Sequence, residues 1–286
     1  MRWLVTGAEG MLGADLVALL TQRGHRVTGA GRGELDITDE AACLRATRGH
    51  DVVANCAAYT AVDAAEDDEP AAYAVNAVGV ANLAKSVAAH GGSLVQVSTD
   101  YVFPGTASSP YAVDAPVGPT LAYGRTKLAG EWAALALCPR TWVIRVAWLY
   151  GERGPCFPQT IARLLRERGS VSVVTDEVGQ PTWTVDVADA IERLATAEAP
   201  YGAWHATNGG SATWFDLARA VAHSLGLDPA VVQPTTAAAF ARKAARPAYS
   251  VLAHERWVEA GLSAPRSWSA AWAQAAPSVL SLDARS

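Results

Sequence analysis

The chain has no excess of basic residues, no long apolar run and little cysteine, and each absence removes a class of function. Its 23 Lys and Arg are outnumbered by 28 Asp and Glu, for a formal net charge of −5 over 286 residues. A chain-wide basic footprint for nucleic acid or an anionic membrane surface is therefore missing. No apolar stretch approaches the ~20 residues of a membrane span. The opening, Met1-Arg2-Trp3-Leu4-Val5-Thr6-Gly7, is too short in its apolar run for a secretory signal and turns at once into a glycine loop, so a cytoplasmic protein is expected. The four cysteines, Cys43, Cys56, Cys138 and Cys156, make no CxxC pair, and the six histidines are equally scattered. Reduced thiols fit this pattern better than a disulfide framework or a zinc site. Apolar residues, by contrast, make up 50% of the chain and charged ones 18%, which suffices for a full core and excludes disorder as the main state.

The order of short apolar runs and helical periods implies an α/β fold. Residues 2–6 read as a buried parallel strand and 11–22 as a helix. Val27 marks a second strand, 39–48 a helix, 51–54 a third strand, and 70–89 one long alanine-rich helix with Pro70 in its first turn. Residues 93–97 read as a fourth strand, 123–137 as a helix and 142–146 as a fifth strand. This alternation predicts a Rossmann-type, doubly wound parallel sheet. Beyond about residue 150, shorter helices at 158–168, 184–196 and 213–225 alternate with loops. We therefore expect a dinucleotide-binding domain over 1–150, with a returning segment near 182–199, and a smaller, mainly substrate-binding region over 151–286. The last ten residues are expected to fray.

Gly7-Ala8-Glu9-Gly10-Met11-Leu12-Gly13 has the spacing GxxGxxG between a strand and a helix. Glycines there let the backbone approach a pyrophosphate, which the free N–H groups and dipole of the helix N-terminus attract. An acidic residue at the end of the second strand would bind the 2′-hydroxyl of NAD. Here the segment reads Thr28-Gly29-Ala30-Gly31-Arg32-Gly33, with no carboxylate before Glu34 and with Arg32 placed to pair with a 2′-phosphate. NADPH is the expected cofactor, with NADH accepted. Asp36 is open to two roles, an adenine contact or the cap of the helix that begins near residue 39.

Tyr123-Gly124-Arg125-Thr126-Lys127 sets a phenol and an ammonium on one helical face, and Ser98-Thr99 ends the strand before it. These supply a proton donor, a cation and a hydroxyl for one carbonyl. Lowering a tyrosine pKa by ~3 units takes ~4 kcal/mol, about what one ammonium at ~4 Å provides at an effective dielectric of 20. Lys127 is therefore expected to ease proton release from Tyr123, and Thr99 to hydrogen-bond the substrate oxygen as charge develops.

With these features, several segments together resemble the extended short-chain dehydrogenase/reductases, and within them the dTDP-4-dehydrorhamnose reductase family of deoxysugar biosynthesis. They are Asn55-Cys56-Ala57-Ala58-Tyr59-Thr60-Ala61-Val62-Asp63 with Glu66; Val97-Ser98-Thr99-Asp100-Tyr101-Val102-Phe103-Pro104-Gly105; Tyr123 to Glu131; Arg145-Val146-Ala147-Trp148-Leu149-Tyr150; Gly179-Gln180-Pro181-Thr182; and Arg246-Pro247. The resemblance implies Thr99, Tyr123 and Lys127 as the catalytic triad. It implies Gly7, Gly10, Met11, Leu12, Asp36, Ile37, Ala57, Ala58 and Tyr59 around the cofactor, and Thr60, Asp100, Tyr101, Val102 and Trp148 around a hexose. Trp148 would lay its indole face on the sugar ring, Arg246 would reach the diphosphate, and Asn76 is treated as structural. The implied activity is NADPH-dependent reduction of a dTDP-4-dehydro-6-deoxy-L-hexose at C4, by a monomer or homodimer with no nucleic-acid or membrane partner.

The chain also departs from its relatives. Some of them bridge a dimer with magnesium through glutamates, whereas Asp15, Asp186 and Asp189 offer no matching set here, so no metal is expected. Cys56 replaces an alanine and is expected to be a small buried residue. A dehydratase or epimerase on the same fold is the alternative enzyme, but Tyr101 follows Asp100 where dehydratases resemble one another in Thr-Asp-Glu. A non-catalytic regulatory subunit of methionine adenosyltransferase type is the other alternative, and it would not require Thr99, Tyr123 and Lys127 to be intact.

Overall fold

The computed structural model describes residues 1–240 and 243–281. Its first half alternates regularly: β1 (Arg2–Thr6), α1 (Met11–Gln22), β2 (Arg26–Ala30), α2 (Glu40–Ala46), β3 (Val52–Asn55), α3 (Val62–Ala65), α4 (Glu69–Tyr73), α5 (Val80–Ala89), β4 (Ser93–Thr99), α6 (Ala122–Leu137) and β5 (Thr141–Val146). The elements then shorten: β6 (Leu149–Tyr150), α7 (Phe157–Arg168), β7 (Val171–Val174), β8 (Val178–Gly179), β9 (Thr182–Trp183), α8 (Thr184–Thr196), β10 (Gly202–His205), β11 (Ala212–Thr213), α9 (Trp214–Ser224), β12 (Val232–Thr235), α10 (Glu255–Glu259) and α11 (Trp268–Ser281).

Six strands form the central sheet in the order β10-β5-β4-β3-β1-β2, and every pairing is parallel. Both faces are covered, as an all-parallel sheet requires. Successive residues of β1 point to opposite sides. Trp3 and Val5 pack with Leu16, Leu20, Ile191 and Leu194 of α1 and α8, whereas Leu4 packs with Leu83 and Val87 of α5. The chain reverses direction across the sheet between β1 and β3, and the crevice at such a switch point is where ligands bind in this architecture. A second core lies beyond the sheet, where α7, α9 and α11 pack around Tyr150, Trp183 and Trp272.

The expected long helix over 70–89 is interrupted. Residues Ala74–Gly79 are π-helical, between α4 and α5. The widened turn carries Asn76 inward, and one inserted residue leaves no trace in an alanine-rich period. The Asn76 carbonyl then comes so close to α6 that a Cβ on Gly130 would lie 2.0 Å from it. The sixth strand, β10, escapes the sequence reading, because its four residues start on Gly202, two positions after Pro200, and carry too little pattern. Residues 277–281, expected to fray, belong to α11, where Val279 and Leu280 are buried; 282–286 lie outside the described residues. No helix among the described residues is long and apolar enough to cross a membrane.

Between α6 and β5 lies a buried ion pair. The Arg145 guanidinium donates Nε to Glu131 Oε1 at 3.0 Å and Nη2 to Oε2 at 2.8 Å. A third donor, Nη1, reaches the Val113 carbonyl at 2.9 Å. The two side chains are only 7% and 2% exposed, so removing one strands the other away from water. Glu131→Ala is therefore expected to cost about 3–5 kcal/mol. Urea unfolding at neutral pH measures this, and a loss below ~1 kcal/mol, the range of an exposed pair, would contradict it.

Candidate active site

The glycine loop is built for close approach. Gly7 sits at φ +63°, and a Cβ there would lie 2.7 Å from Ala57 N, while one on Gly13 would lie 2.1 Å from Gly7 O. Gly10 is the N-cap of α1 and offers no side-chain cap, so the N–H groups at this helix start face the crevice unclaimed by any capping side chain. Met11 packs beside Gly151, and Leu12 is buried at 6% exposure, leaving only its backbone for a ligand. Across the switch point, the 57–60 loop is held by Asn76, whose Oδ1 accepts from Tyr59 N at 2.9 Å and whose Nδ2 donates to Tyr59 O at 3.1 Å. The same Nδ2 donates to Thr126 Oγ1 on α6 at 3.1 Å. This geometry fits a dinucleotide: a tight turn, free N–H groups and a flat loop opposite.

The turn after β2 holds more than the sequence suggested. Arg32 is exposed there, but Glu34 folds back so that its Oε2 accepts from Gly31 N at 2.8 Å. The Glu9 carboxyl also stands against Gly31, 2.5 Å from where a Cβ would be. Carboxylates therefore do flank the end of β2, supplied by Glu9 and Glu34 and not by the strand itself. Asp36 accepts from Thr38 N at 2.9 Å and from Thr38 Oγ1 at 2.8 Å, which holds it below the usual carboxylate range. The cap of α2 is Asp39, accepting from Ala42 N at 3.0 Å, and not Asp36, which lies too early in the chain to reach that N–H. Ile37 is buried against Gly79.

α6 brings Tyr123 and Lys127 beneath the end of β4. Its first N–H, on Ala122, donates to Glu66 Oε1 at 2.7 Å, a cap supplied from outside the helix. Gly124 lets α6 press on the 100–102 turn, since a Cβ there would lie 2.3 Å from Tyr101 O. Lys127 is buried and donates Nζ to the Val97 carbonyl at 2.6 Å. Burial pushes its pKa down to about 8, against the pull of Glu131 and Cys56. Burial first, then the Asp100 carboxylate, raises the Tyr123 phenol above its ordinary value, and only the Thr99 hydrogen bond works the other way. The expected easing by Lys127 does not show in the Tyr123 pKa of the free protein, where the ammonium is bonded to the Val97 carbonyl. Thr99 Oγ1 donates to Asp100 Oδ1 at 2.9 Å, and burial pushes Asp100 up to about 6. Cys56 is driven up to about 12, again by burial, which makes it an inert thiol.

A cavity of about 370 Å³ opens beside Tyr101 and is lined also by Val62, Phe157, Trp214, Phe240 and Arg246. Tyr101 meets Tyr123 edge-on at 5.9 Å. Arg246 is held by Asp63, Nη1 to Oδ1 at 2.5 Å and Nη2 to Oδ2 at 2.7 Å. Thr60 is exposed at the end of its loop. Val102 is fully buried with Phe103 and Leu128, so only its backbone could touch a ligand. Trp148 does not show a free indole face to this space: it stacks on Trp214 with ring centroids 3.6 Å apart and planes at 8°. The three carboxylates weighed as metal ligands have other partners. Asp15 accepts from Thr184, Asp186 pairs with Arg266 at 2.8 Å and Asp189 with Arg23 at 2.5 Å. Glu66, Asp63 and Trp214 acquired no role from the sequence; the only signal was the place of the first two in the Asn55–Glu66 segment.

A parallel sheet with a glycine loop at its switch point, and a helix presenting Tyr123 and Lys127 under the next strand, define a short-chain dehydrogenase/reductase of the extended type. The chain belongs to the family described as RmlD substrate binding domain, which matches residues 1–280. It is 51% identical over 285 residues to dTDP-4-dehydrorhamnose reductase of Streptomyces griseus, covering 97% of this chain and 94% of that one. It is 49% identical to a probable dTDP-4,6-dihydroxy-2-methyloxan-3-one 4-ketoreductase of Streptomyces antibioticus, covering 99% and 97%. The structure of dTDP-4-dehydrorhamnose reductase from Bacillus anthracis in complex with NADP superposes with a TM-score of 0.92 at 33% identity, over 96% of this chain and 98% of that one.

Lys85, Lys127 and Lys243 are the chain's three lysines, and Lys85 and Lys243 are each about half exposed. In heteronuclear NMR of lysine-labelled protein, one ammonium signal is expected to titrate near pH 8 and to vanish in Lys127→Met. The sign follows from burial disfavouring the charged form, so Lys127 loses its proton as pH rises through about 8. A Lys127 signal that titrates only near the ordinary lysine value, about 10.4, would contradict the buried position.

Proposed function

We propose that this protein is an NADPH-dependent 4-ketoreductase of a dTDP-4-dehydro-6-deoxy-L-hexose such as dTDP-4-dehydrorhamnose. The observation that carries the reading is the placement of Tyr123 and Lys127 of α6 under the end of β4, with Thr99 against Tyr123 and Lys127 on the Val97 carbonyl, beside a cavity lined by Tyr101 and Arg246. In it, residues 1–150 with the returning segment 182–199 hold the cofactor, and the remainder after 150 mainly holds the sugar nucleotide. The backbone of Gly7, Gly10, Met11 and Leu12 receives the pyrophosphate. Ala57, Ala58 and Tyr59 line the other wall, with Asp36 and Ile37 toward the adenosine. NADPH, when bound, supplies a hydride to the hexose C4. Thr99 and Tyr123 hydrogen-bond the C4 oxygen as negative charge develops there. Tyr123 then gives that oxygen its proton, and its phenolate is reprotonated from water. The high pKa of Tyr123 in the free protein keeps the donor loaded. Lys127, charged below about pH 8, stabilises the phenolate that the transfer leaves behind. Thr60, Asp100, Tyr101, Val102 and Trp148 surround the hexose, and Arg246 takes the diphosphate. With hydrogen bonds serving the oxyanion, the step needs no Lewis acid. A soluble substrate of this kind fits a cytoplasmic enzyme.

Assay of NADPH oxidation with a panel of dTDP-4-keto-6-deoxyhexoses, with product NMR, tests the reading. Tyr123→Phe keeps the ring and loses the donor, so kcat is expected to fall by about 10²–10⁴-fold with cofactor affinity nearly unchanged. Near-wild-type turnover would sink the assignment.

Glu9 and Glu34 beside Gly31 favour a companion reading, that NADH is accepted as well. Arg32 draws the 2′-phosphate, and the two carboxylates suit a 2′-hydroxyl. Arg32→Ala is expected to lower the NADPH/NADH ratio of kcat/KM by about 10–100-fold, the worth of a charged hydrogen bond. An unchanged ratio removes Arg32 from cofactor selection.

A further inference from the structure

Two indoles from distant segments form a single slab at the edge of the cavity. Trp148 has φ +45°, a left-handed backbone that a bulky residue rarely adopts. Its ring fills the space over Gly179, where a Cβ would lie 2.4 Å from Cε2 and 2.6 Å from Cζ2. Trp214 packs flat on it at 3.6 Å and 8°, and meets Phe157 at 4.5 Å. Trp214 and Phe157 line the same cavity as Tyr101 and Arg246.

Trp214, the first residue of α9, is only partly buried, at the rim of the second core. The helix is anchored by Leu217, Ala218, Val221 and Ala222, and its start is fixed by a capping box between Thr213 and Asp216. Gly179 is likewise held in place, since the next residue, Gln180, accepts from Leu252 N at 2.8 Å and from Thr207 Oγ1 at 2.8 Å. Trp214 thus stands on a rigid mount between Phe157 and Trp148, and Trp148 sits in a strained conformation that persists only when its surroundings enforce it.

We propose that Trp214 is a positioning residue of the substrate site: it clamps the Trp148 indole over Gly179, and the stacked pair forms the rigid wall against which the sugar nucleotide is seated. This rests on the reading of the cavity as a dTDP-hexose site. Freed from Trp214, Trp148 relaxes its backbone and its ring leaves the seat, so the site loses shape on the substrate side while the cofactor side is untouched.

Wild type, Trp214→Phe and Trp214→Ala are compared in steady-state kinetics and in far-ultraviolet circular dichroism, where stacked indoles give an exciton couplet. In Trp214→Ala, KM for the sugar nucleotide is expected to rise about tenfold, the worth of an aromatic pair. kcat and KM for NADPH stay within about threefold, and the couplet disappears. Trp214→Phe keeps a flat ring, so it loses the couplet but recovers most of the KM. A folded Trp214→Ala with unchanged sugar-nucleotide KM overturns the proposal, as does a fall confined to kcat or a parallel rise in KM for NADPH. If Trp214→Ala does not fold, Trp214→Leu replaces it, a folded apolar side chain without stacking, and the same outcomes decide. A wild type inert toward every 4-ketohexose nucleotide defeats the functional reading instead. The calorimetric affinity of dTDP for wild type and variants then still decides the role of Trp214, with a tenfold weakening expected and equal affinities overturning it.

Discussion

A guanidinium and a carboxylate shut away from water between β5 and α6 govern the geometry of everything above them. Arg145 and Glu131 each carry a charge that could not be buried alone, so the only tolerable state has them in register. That register fixes the rotation of α6 against the sheet. Lys127 lies one turn before Glu131 and Tyr123 one turn before that, so the pair determines which way the ammonium and the phenol point. The link is electrostatic as well as mechanical, because Glu131 supports the charge on Lys127 against burial.

A second constraint runs across the strand ends. Thr6 Oγ1 donates to Asn55 Oδ1 at 2.6 Å, Asn55 Nδ2 to Gln96 Oε1 at 2.8 Å, and Gln96 Nε2 to Val97 O at 2.7 Å. Lys127 ends the chain on that same carbonyl. A satisfied polar network of this kind tolerates little displacement, because each broken link leaves a buried polar group unpaired. It ties the residue before the glycine loop to the lysine under β4, so the proposed pyrophosphate seat and the proposed proton donor's helix are held in one frame.

The parallel sheet was legible because buried strands such as Leu94-Val95-Gln96-Val97 are short, apolar and bounded by turn residues. The pairing of Tyr123 with Lys127 was legible because helical spacing turns sequence distance directly into a shared face. What escaped depends on contacts between distant segments. The π-turn at Asn76 adds a residue without disturbing composition. Glu66 caps α6 across 56 positions, and no local rule connects the two. The Trp148–Trp214 stack reverses what an isolated tryptophan after a strand suggests, since the partner lies in another helix. The carboxylates beside Gly31 come from the glycine loop and from a fold-back of Glu34, neither of which belongs to the strand end where the rule for NAD looks for one.

The contact between Gly130 and the Asn76 carbonyl has a bearing on motion. With only a hydrogen at position 130 separating the two helices, neither can slide past the other without collision. The wall of the crevice that carries Tyr123, Lys127 and the 57–60 loop therefore moves as one piece. The opposite wall is fastened differently, by the Arg246–Asp63 pair, whose carboxylate is half exposed and can trade partners with water. The two walls of the cavity are thus held by different means, one by a backbone contact with no room to spare and the other by a partly exposed ion pair.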